Sequence, residues 1–276
     1  MTKDYSRAHI DGAEDLFGLI RNSNLDFNSP RIWGNILRYM VVCQNIETIA
    51  YSTKKSKIRV LDIGCSNATL FGFIKQNFKF YEAKEIEYVG VDVRHSSLED
   101  ARRIYNDEPI LIHHDLNVSP LHEVLDAKFD LISAQQVLEH VGKEDAELML
   151  ASCYKLLEDS GRLILSAPNP HKHKGEEFIH SVSAADVFKH GHIFEFSFDE
   201  VKTALDENGF AILEHMGALT RAMTRNLDAN TEEEQYVANT VRKFSYGFFV
   251  AMFATIYPDK SKNYLIVAEK NKNGQH

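Results

Sequence analysis

Short runs of apolar and β-branched residues alternate along most of the chain with stretches whose apolar positions recur at helical spacing. Seven runs have the length and composition of strands, at Ile58–Ile63, Glu87–Asp92, Ile110–His114, Phe129–Ala134, Arg162–Ala167, Ala211–His215 and Tyr264–Ala268. The stretches between them predict helices at Ala68–Asn77, Ser97–Tyr105, Lys143–Leu157 and Asp199–Asn208. This alternation predicts an α/β fold with a doubly wound, seven-stranded, mainly parallel sheet and helices on both faces.

Two further segments lie outside this alternation. Ser29–Ile46 begins with a Ser-Pro helix start and has helical spacing, so it predicts an N-terminal amphipathic helix. Gly217–Asn263 is too long for an ordinary connection and is interpreted as a helical insertion that covers the pocket. The predicted organisation comprises, in chain order, a helical N-terminal segment (1–57), the core (58–216), the insertion (217–262), the last core strand (263–270) and a disordered tail (271–276).

Composition and charge narrow the classes of function. The formal net charge of −9 over 276 residues disfavours loose binding to polyanions. Cys43, Cys65 and Cys153 are odd in number and far apart, which favours a reducing compartment, and we expect a cytoplasmic protein. The apolar run Phe244–Tyr257 is too short to span a membrane. We interpret it as buried in the core or in a homodimer interface, with contact to an apolar substrate or a membrane surface as the alternative.

Polar residues stand at or just past the ends of four predicted strands. Asp62 and Gly64 close the first strand, Asp92 the second, Asp115 follows the third and Gln135 the fourth. Ligands of open α/β sheets bind at the carboxyl ends of the strands, and a glycine there lets the backbone approach a ligand closely. A carboxylate after the second strand can accept both hydroxyls of a ribose. The four strand ends therefore predict a site for a nucleotide-like ligand.

These motifs, followed by Leu163–Asn169 and His192–Glu200, resemble the seven-strand (class I) S-adenosylmethionine-dependent methyltransferases, especially the ubiquinone-pathway O-methyltransferases. The resemblance covers about residues 58–216 and the last strand, and it implies a Rossmann-like fold with S-adenosyl-L-methionine as cofactor. By the same resemblance the cofactor residues are Asp62, Gly64, Cys65 and Ser66 around the methionine part, Asp92 and Val93 at the ribose, Asp115 and Leu116 at the adenine, and Gln135 beside the sulfonium.

The first loop departs from the family pattern of three glycines. Ser66 and Ala68 occupy the second and third glycine positions. Both side chains are small, so close approach of the cofactor is retained. The substitutions leave a second hypothesis open, a protein that binds the cofactor and regulates without turnover. A dinucleotide-dependent oxidoreductase, the other candidate for such a fold, is disfavoured because the loop lacks a second glycine for the pyrophosphate.

Methyl transfer requires an in-line approach, exclusion of water and sometimes a base, but no nucleophile on the enzyme. His192 is the first candidate for this base, since its segment follows the fifth strand, and His140 is the second. A divalent metal is the alternative. Some relatives carry the pattern E-x-x-E-H and a later histidine, matched here by Glu139, His140 and His192. Because Gln136 replaces the first carboxylate, a neutral amide being a poor ligand for a hard cation, the predicted site includes no metal.

Three hypotheses for the partner remain open. The first is a small-molecule acceptor methylated on oxygen. The second is the end of a nucleic acid or glycan, contacted by the basic stretches Lys54–Lys57 and His171–Lys174, although the acidic balance disfavours it. The third is the non-catalytic protein described above.

Overall fold

The computed structural model describes residues 30–77, 84–169, 192–219, 231–235, 255–256, 258, 261 and 263–271. Six helices and seven strands have both ends within these ranges, and short helical stretches also occur at 232–235 and 255–256. The helices are α1 (Pro30–Ser52), α2 (Thr69–Asn77), α3 (His95–Tyr105), α4 (Leu121–Val124), α5 (Lys143–Leu156) and α6 (Phe198–Glu207), with a 3-10 turn at Leu138–His140. The strands are β1 (Lys57–Ile63), β2 (Glu85–Asp92), β3 (Ile110–His113), β4 (Phe129–Gln135), β5 (Leu157–Pro168), β6 (Phe210–Leu219) and β7 (Asn263–Lys270).

All seven strands belong to one sheet in the order β3-β2-β1-β4-β5-β7-β6. The pairs β3·β2, β2·β1, β1·β4 and β4·β5 are parallel, whereas β7 lies antiparallel between β5 and β6. The predicted mainly parallel α/β sheet is therefore confirmed. Because Asp62 lies opposite both Gly90 of β2 and Ser133 of β4, the carboxyl ends of β1, β2 and β4 meet at one edge.

The sheet is covered on both faces. On one face, α5 and α6 contribute Leu150 and Leu205 to a cluster that contains Ile132 and Leu163 of the central strands. On the other face, α1 and α2 bury residues such as Ile46 and Ile74 against alternate positions of the same strands. Burial of each such aliphatic side chain contributes about 1.5–3 kcal/mol to folding. The alternation of strand residues between the two clusters explains why these strands read as continuous apolar runs.

Several predicted boundaries differ from the structure. Helix α1 continues past Ile46 to Ser52, because Ile49 is also buried against the sheet. Strand β6 continues to Leu219, since Gly217 pairs with Tyr264 and Leu219 with Asn263. Gly217 thus belongs to the sheet, and its assignment to the insertion was wrong.

Other predictions fall on residues that the structure does not describe. Most of the insertion, including nearly all of Phe244–Tyr257, lies outside the described residues, as do the segment before Pro30 and the tail after Asn271. Cys43, Cys65 and Cys153 are free thiols. Among the helices that can be described, none combines the length and the apolar character that crossing a lipid bilayer requires.

Candidate active site

The loop after β1 is tightly folded. The amide groups of Gly64 and Cys65 both donate to the carbonyl oxygen of Val91, at 2.8 and 3.0 Å. Gly64 has φ of 72°, and a Cβ there would lie 2.5 Å from Cγ2 of Val137. Ser66 and Ala68 adopt the same left-handed region, with φ of 51° and 55°. The chain therefore keeps the backbone path that glycines favour, at a cost of about 1 kcal/mol or more for each non-glycine residue.

Asp92 joins this loop to the end of β2. Its Oδ2 accepts a hydrogen bond from the Ser66 amide, and its Oδ1 accepts one from the Arg94 amide, both at 2.8 Å. Only 6% of Asp92 is exposed. Oδ1 also accepts a hydrogen bond from Arg94 Nε at 3.3 Å, whereas Oδ2 retains a second lone pair that could accept a ribose hydroxyl. These bonds orient the side chain, and its role at the ribose stays a prediction.

Asp62 lies beneath the loop and is almost completely buried. Burial raises the pKa of its carboxyl from 3.8 to about 7, partly offset by the Tyr88 hydroxyl, and the nearby Asp92 carboxylate adds to the increase. The Tyr88 hydroxyl donates to Asp62 Oδ2 at 2.6 Å. The sequence analysis missed Tyr88, because a tyrosine within a buried strand has the pattern of an ordinary core residue. The Cys65 side chain is also buried, and a Cβ on Gly90 would come within 2.7 Å of its Sγ. Any contact of Cys65 with a ligand is therefore expected from its backbone.

The residues predicted to contact adenine and ribose lie at the outer part of the same edge. Asp92 pairs with His113 of β3, which places the following segment next to the ribose position. Asp115 Oδ1 accepts hydrogen bonds from the amide and the side chain of Asn117, both at 2.9 Å, and so closes a turn. Leu116 packs against the core, and 39% of Val93 is exposed at the surface of the cleft.

The second half of the site forms where the turn after β4 meets the segment that starts at His192. The Ile193 amide donates to the carbonyl oxygen of Glu139 at 2.7 Å and ties the two segments together. Glu139, His140 and His192 each offer one ligand atom, and these atoms lie within 4.8 Å of one another. The rings of His140 and His192 are 5.2 Å apart. The structure thus brings both predicted catalytic histidines together.

Two acidic residues surround these histidines. Glu195 is buried, and its carboxylate lies 2.5 Å from His192 Nδ1. Glu139 is also buried, which raises the pKa of its carboxyl from 4.5 to about 7, while electrostatic interactions with His192 and Arg38 oppose this increase. The sequence analysis did not assign a role to Glu195, although the i,i+3 spacing of His192 and Glu195 was a usable signal. Arg38 of α1 had no such signal.

Glu139, His140 and His192 could act as ligands of a divalent cation. Oε2 of Glu139 is buried and has no hydrogen-bond partner among the described residues. Gln136 does not complete the set, because its Oε1 accepts from Asn263 Nδ2 at 2.7 Å and its Nε2 donates to Ser166 Oγ at 3.3 Å. The neutral amide that replaces the expected carboxylate is therefore engaged elsewhere.

The two halves of the site adjoin each other. Val137, which would contact a side chain at position 64, lies in the turn between Gln135 and Glu139. The Gly64 loop and the histidine cluster are consequently on opposite sides of one short turn. A ligand held by Asp62 and Asp92 would extend towards Gln135 and the histidines.

Comparison with known proteins agrees with this geometry. A family model described as a methyltransferase domain matches residues 36–215, more than half of the chain. No curated protein sequence matches. Solved structures with the same fold include the three that follow.

The plantazolicin methyltransferase, in complex with a triazolic desmethylPZN analogue and SAH, has a TM-score of 0.55 at 13% identity, covering 95% of each chain. The magnesium protoporphyrin IX methyltransferase of Synechocystis PCC 6803, with bound SAM, has a TM-score of 0.51 at 15% identity, covering 88% of this chain and 84% of that chain. A SAM-dependent methyltransferase of Archaeoglobus fulgidus has a TM-score of 0.51 at 19% identity, covering 84% of this chain and 94% of that chain.

Proposed function

The chain belongs to the methyltransferase-domain family and is an S-adenosylmethionine-dependent methyltransferase, and we propose that its methyl acceptor is an oxygen atom of a small molecule. The observation that carries this proposal is the cluster of the buried Glu139 and Glu195 with the half-buried His140 and His192. A base is required more often for a hydroxyl than for an amine, because a neutral hydroxyl is a weak nucleophile. The cluster supplies such a base.

The cofactor half holds the donor. Asp92 would accept the ribose hydroxyls, the Gly64 loop would follow the methionine part, and Asp115 with Leu116 would lie at the adenine. Bound S-adenosylmethionine would supply an electrophilic methyl group for the acceptor oxygen, with the sulfur as the leaving group that retains the bonding electron pair. The small side chains of Ser66 and Ala68, held in the left-handed conformation of glycine, support binding despite the lost glycines.

In the acceptor half, His192 is the proposed base. We assign the Nδ1 proton of His192 to its bond with the Glu195 carboxylate, so that Nε2 is the atom that would take the proton of the acceptor hydroxyl. His140 packs edge to face on this ring and restricts its rotation. Both histidines are half-buried, so a bound acceptor would cover them and exclude water during the transfer.

A metal-assisted reaction is the second candidate, and the observation in its favour is the spacing within Glu139, His140 and His192. A bound divalent ion would lower the pKa of the acceptor hydroxyl. The engagement of Gln136 elsewhere favours the metal-free reaction. Exhaustive chelation discriminates between them. Unchanged turnover supports His192 as base, whereas a loss that Mg²⁺ restores supports the metal.

A nucleic-acid end is less well supported as acceptor. Of the basic stretch at 54–57, Lys55 pairs with Asp130 and Glu158, and Lys57 with Glu85 and Glu87. These pairs lie where β1 begins, at the edge of the sheet opposite the site. His171–Lys174 is outside the described residues. The ubiquinone-pathway branch, the homodimer through the insertion and the cytoplasmic location remain parts of the proposal that rest on the sequence motifs, the apolar run and the free cysteines.

The test is a labelled-methyl screen over small hydroxylated metabolites, amines, RNA and sugars, with calorimetric binding of S-adenosylhomocysteine measured in parallel. We expect the protein to bind S-adenosylhomocysteine and to transfer the labelled methyl group to an oxygen atom of a small molecule. Cofactor binding without label in any class would favour the non-catalytic alternative. Label confined to RNA or to amines would contradict the proposed acceptor.

A further inference from the structure

A chain of neutral side chains links β7, β4 and β5 at the edge of the sheet that carries the site. Asn263 Nδ2 donates to Gln136 Oε1 at 2.7 Å, and Gln136 Nε2 donates to Ser166 Oγ at 3.3 Å. The Ser166 hydroxyl then donates to Gln135 Oε1 at 2.7 Å. Gln136 has a left-handed backbone conformation, with φ of 58°. Its backbone N–H donates a hydrogen bond to the carbonyl oxygen of Ser166 at 2.7 Å. We call Asn263, Gln136, Ser166 and Gln135 the amide relay.

The relay has a fixed direction. A serine hydroxyl has a single hydrogen, and it receives a bond from Gln136 Nε2, so its own hydrogen goes to Gln135. The amide of Gln135 is therefore oriented with Oε1 towards Ser166 and Nε2 away from it. Rotation of this amide by 180° would set two donors against each other unless the Ser166 hydrogen also turned away.

The end of the relay has an unused donor. Nε2 of Gln135 is buried and has no hydrogen-bond partner among the described residues. A buried donor without an acceptor costs about 1–3 kcal/mol, so a structure that fixes one in place calls for a ligand that fills it. Gln135 ends β4 directly before the turn with Glu139 and His140.

We propose that Gln135 Nε2 binds the oxygen of the methyl acceptor and makes the site selective for oxygen over nitrogen. This inference rests on the proposed function and adds a specificity-determining residue to it. The amide hydrogens carry partial positive charge and would be repelled by a sulfonium, so the donor faces the acceptor rather than the methyl donor. The resemblance alone had associated this residue with the cofactor.

The selectivity follows from counting lone pairs. When His192 takes the hydroxyl proton, the remaining oxygen has three lone pairs. One can accept from Gln135 while another attacks the methyl group, and the hydrogen bond stabilises the negative charge. A neutral amine has one lone pair, which a bond from Gln135 would withdraw from the attack. The amide relay is thus favourable for an oxygen nucleophile and inhibitory for a nitrogen nucleophile.

Two measurements test the inference, and neither requires the natural acceptor. The first is the Kd of S-adenosylhomocysteine, measured by calorimetry for the wild type, Gln135→Leu and Ser166→Ala, after thermal unfolding has shown that each variant folds. If Nε2 does not contact the cofactor, the Kd changes by less than the roughly tenfold that a lost hydrogen bond causes. A larger loss of affinity in Gln135→Leu would overturn the inference.

The second measurement uses phenol and aniline as probes, titrated into the ¹⁵N-labelled protein saturated with S-adenosylhomocysteine. The side-chain amide signals of Gln135 are assigned by their absence in Gln135→Leu. We expect phenol to shift these signals and to bind about tenfold more tightly than aniline. Ser166→Ala should reduce the difference in affinity between phenol and aniline, because the side-chain amide of Gln135 can then rotate. Equal affinities in the wild type, or unmoved Gln135 signals with phenol, would refute the inference.

The two proposals fail in different ways. A screen that yields no labelled product from a protein that binds S-adenosylhomocysteine refutes the proposed function and leaves both probe measurements interpretable. A labelled oxygen product together with a large loss of cofactor affinity in Gln135→Leu refutes the role of the amide relay and leaves the proposed function intact.

Discussion

Replacement of Asp62 by asparagine is expected to flatten the pH dependence of stability. The folded protein raises the pKa of this carboxyl from 3.8 to about 7 by burial. Because the folded state holds the proton more tightly, the contribution of Asp62 to stability is fully present below pH 3.8 and is lost as the pH rises through about 7. Between roughly pH 5 and pH 7 the free energy of unfolding falls by at most about 1.4 kcal/mol per pH unit, or about 2 kcal/mol over the interval.

The assay is urea unfolding followed by circular dichroism at several pH values across this interval, on the protein without cofactor. From about pH 5 to pH 7, the free energy of unfolding of Asp62→Asn should fall by about 2 kcal/mol less than that of the wild type. Glu139 also has a raised pKa, but it is present in both proteins, so the difference isolates Asp62. Tyr88→Phe is the matched control, since loss of the hydrogen bond to the carboxylate should move the decline to higher pH. Parallel curves for the wild type and Asp62→Asn would refute the reasoning.

Other substitutions test the two halves of the site separately. His192→Gln should lower kcat by about 10²–10⁴-fold in labelled-methyl transfer, with the Kd of S-adenosylhomocysteine unchanged; a kcat near that of the wild type would remove His192 as base. Asp92→Asn should weaken S-adenosylhomocysteine in calorimetry by about 10-fold or more, since a charge-assisted hydrogen bond is lost, and unaltered affinity would contradict its ribose role. Gly64→Ala should destabilise the protein by about 2 kcal/mol in urea unfolding, because its Cβ would lie 2.5 Å from Val137 Cγ2. Ser66→Gly should instead raise stability by roughly 0.5 kcal/mol, as relief of the left-handed strain exceeds the entropy cost of glycine, and a net loss would argue against that strain.

The sequence predicted the sheet well because its central strands β1, β4 and β5 are buried on both faces and have nearly continuous apolar runs. Candidate cofactor residues could also be identified from the sequence, since Asp62, Gly64 and Asp92 stand at fixed offsets from strand ends. Contacts between distant segments could not be predicted in this way. Asn263 reaches Gln136 only because β7 runs antiparallel next to β5, and no local pattern encodes that neighbour.

Side chains that act through burial were missed for a related reason. Tyr88 occupies an inward position of β2, where any large apolar residue would satisfy the pattern. Its hydroxyl gains meaning only from the carboxylate of Asp62 on the adjacent strand. Arg38 similarly lies in an amphipathic helix whose sequence predicts packing, and its charge near Glu139 follows from how α1 crosses the sheet.

The pairing of Leu219 with Asn263 has a consequence for how such a protein can diversify. The segment between β6 and β7 leaves the sheet after Leu219 and returns to it at Asn263, whose side chain contacts Gln136. Its length and sequence can therefore change while the register of the sheet is retained, because the closure cost of a loop grows only slowly with its length. We expect exchange of this segment between homologous enzymes to change the acceptor and to retain cofactor binding, because the residues proposed to hold the methyl donor lie on other strands.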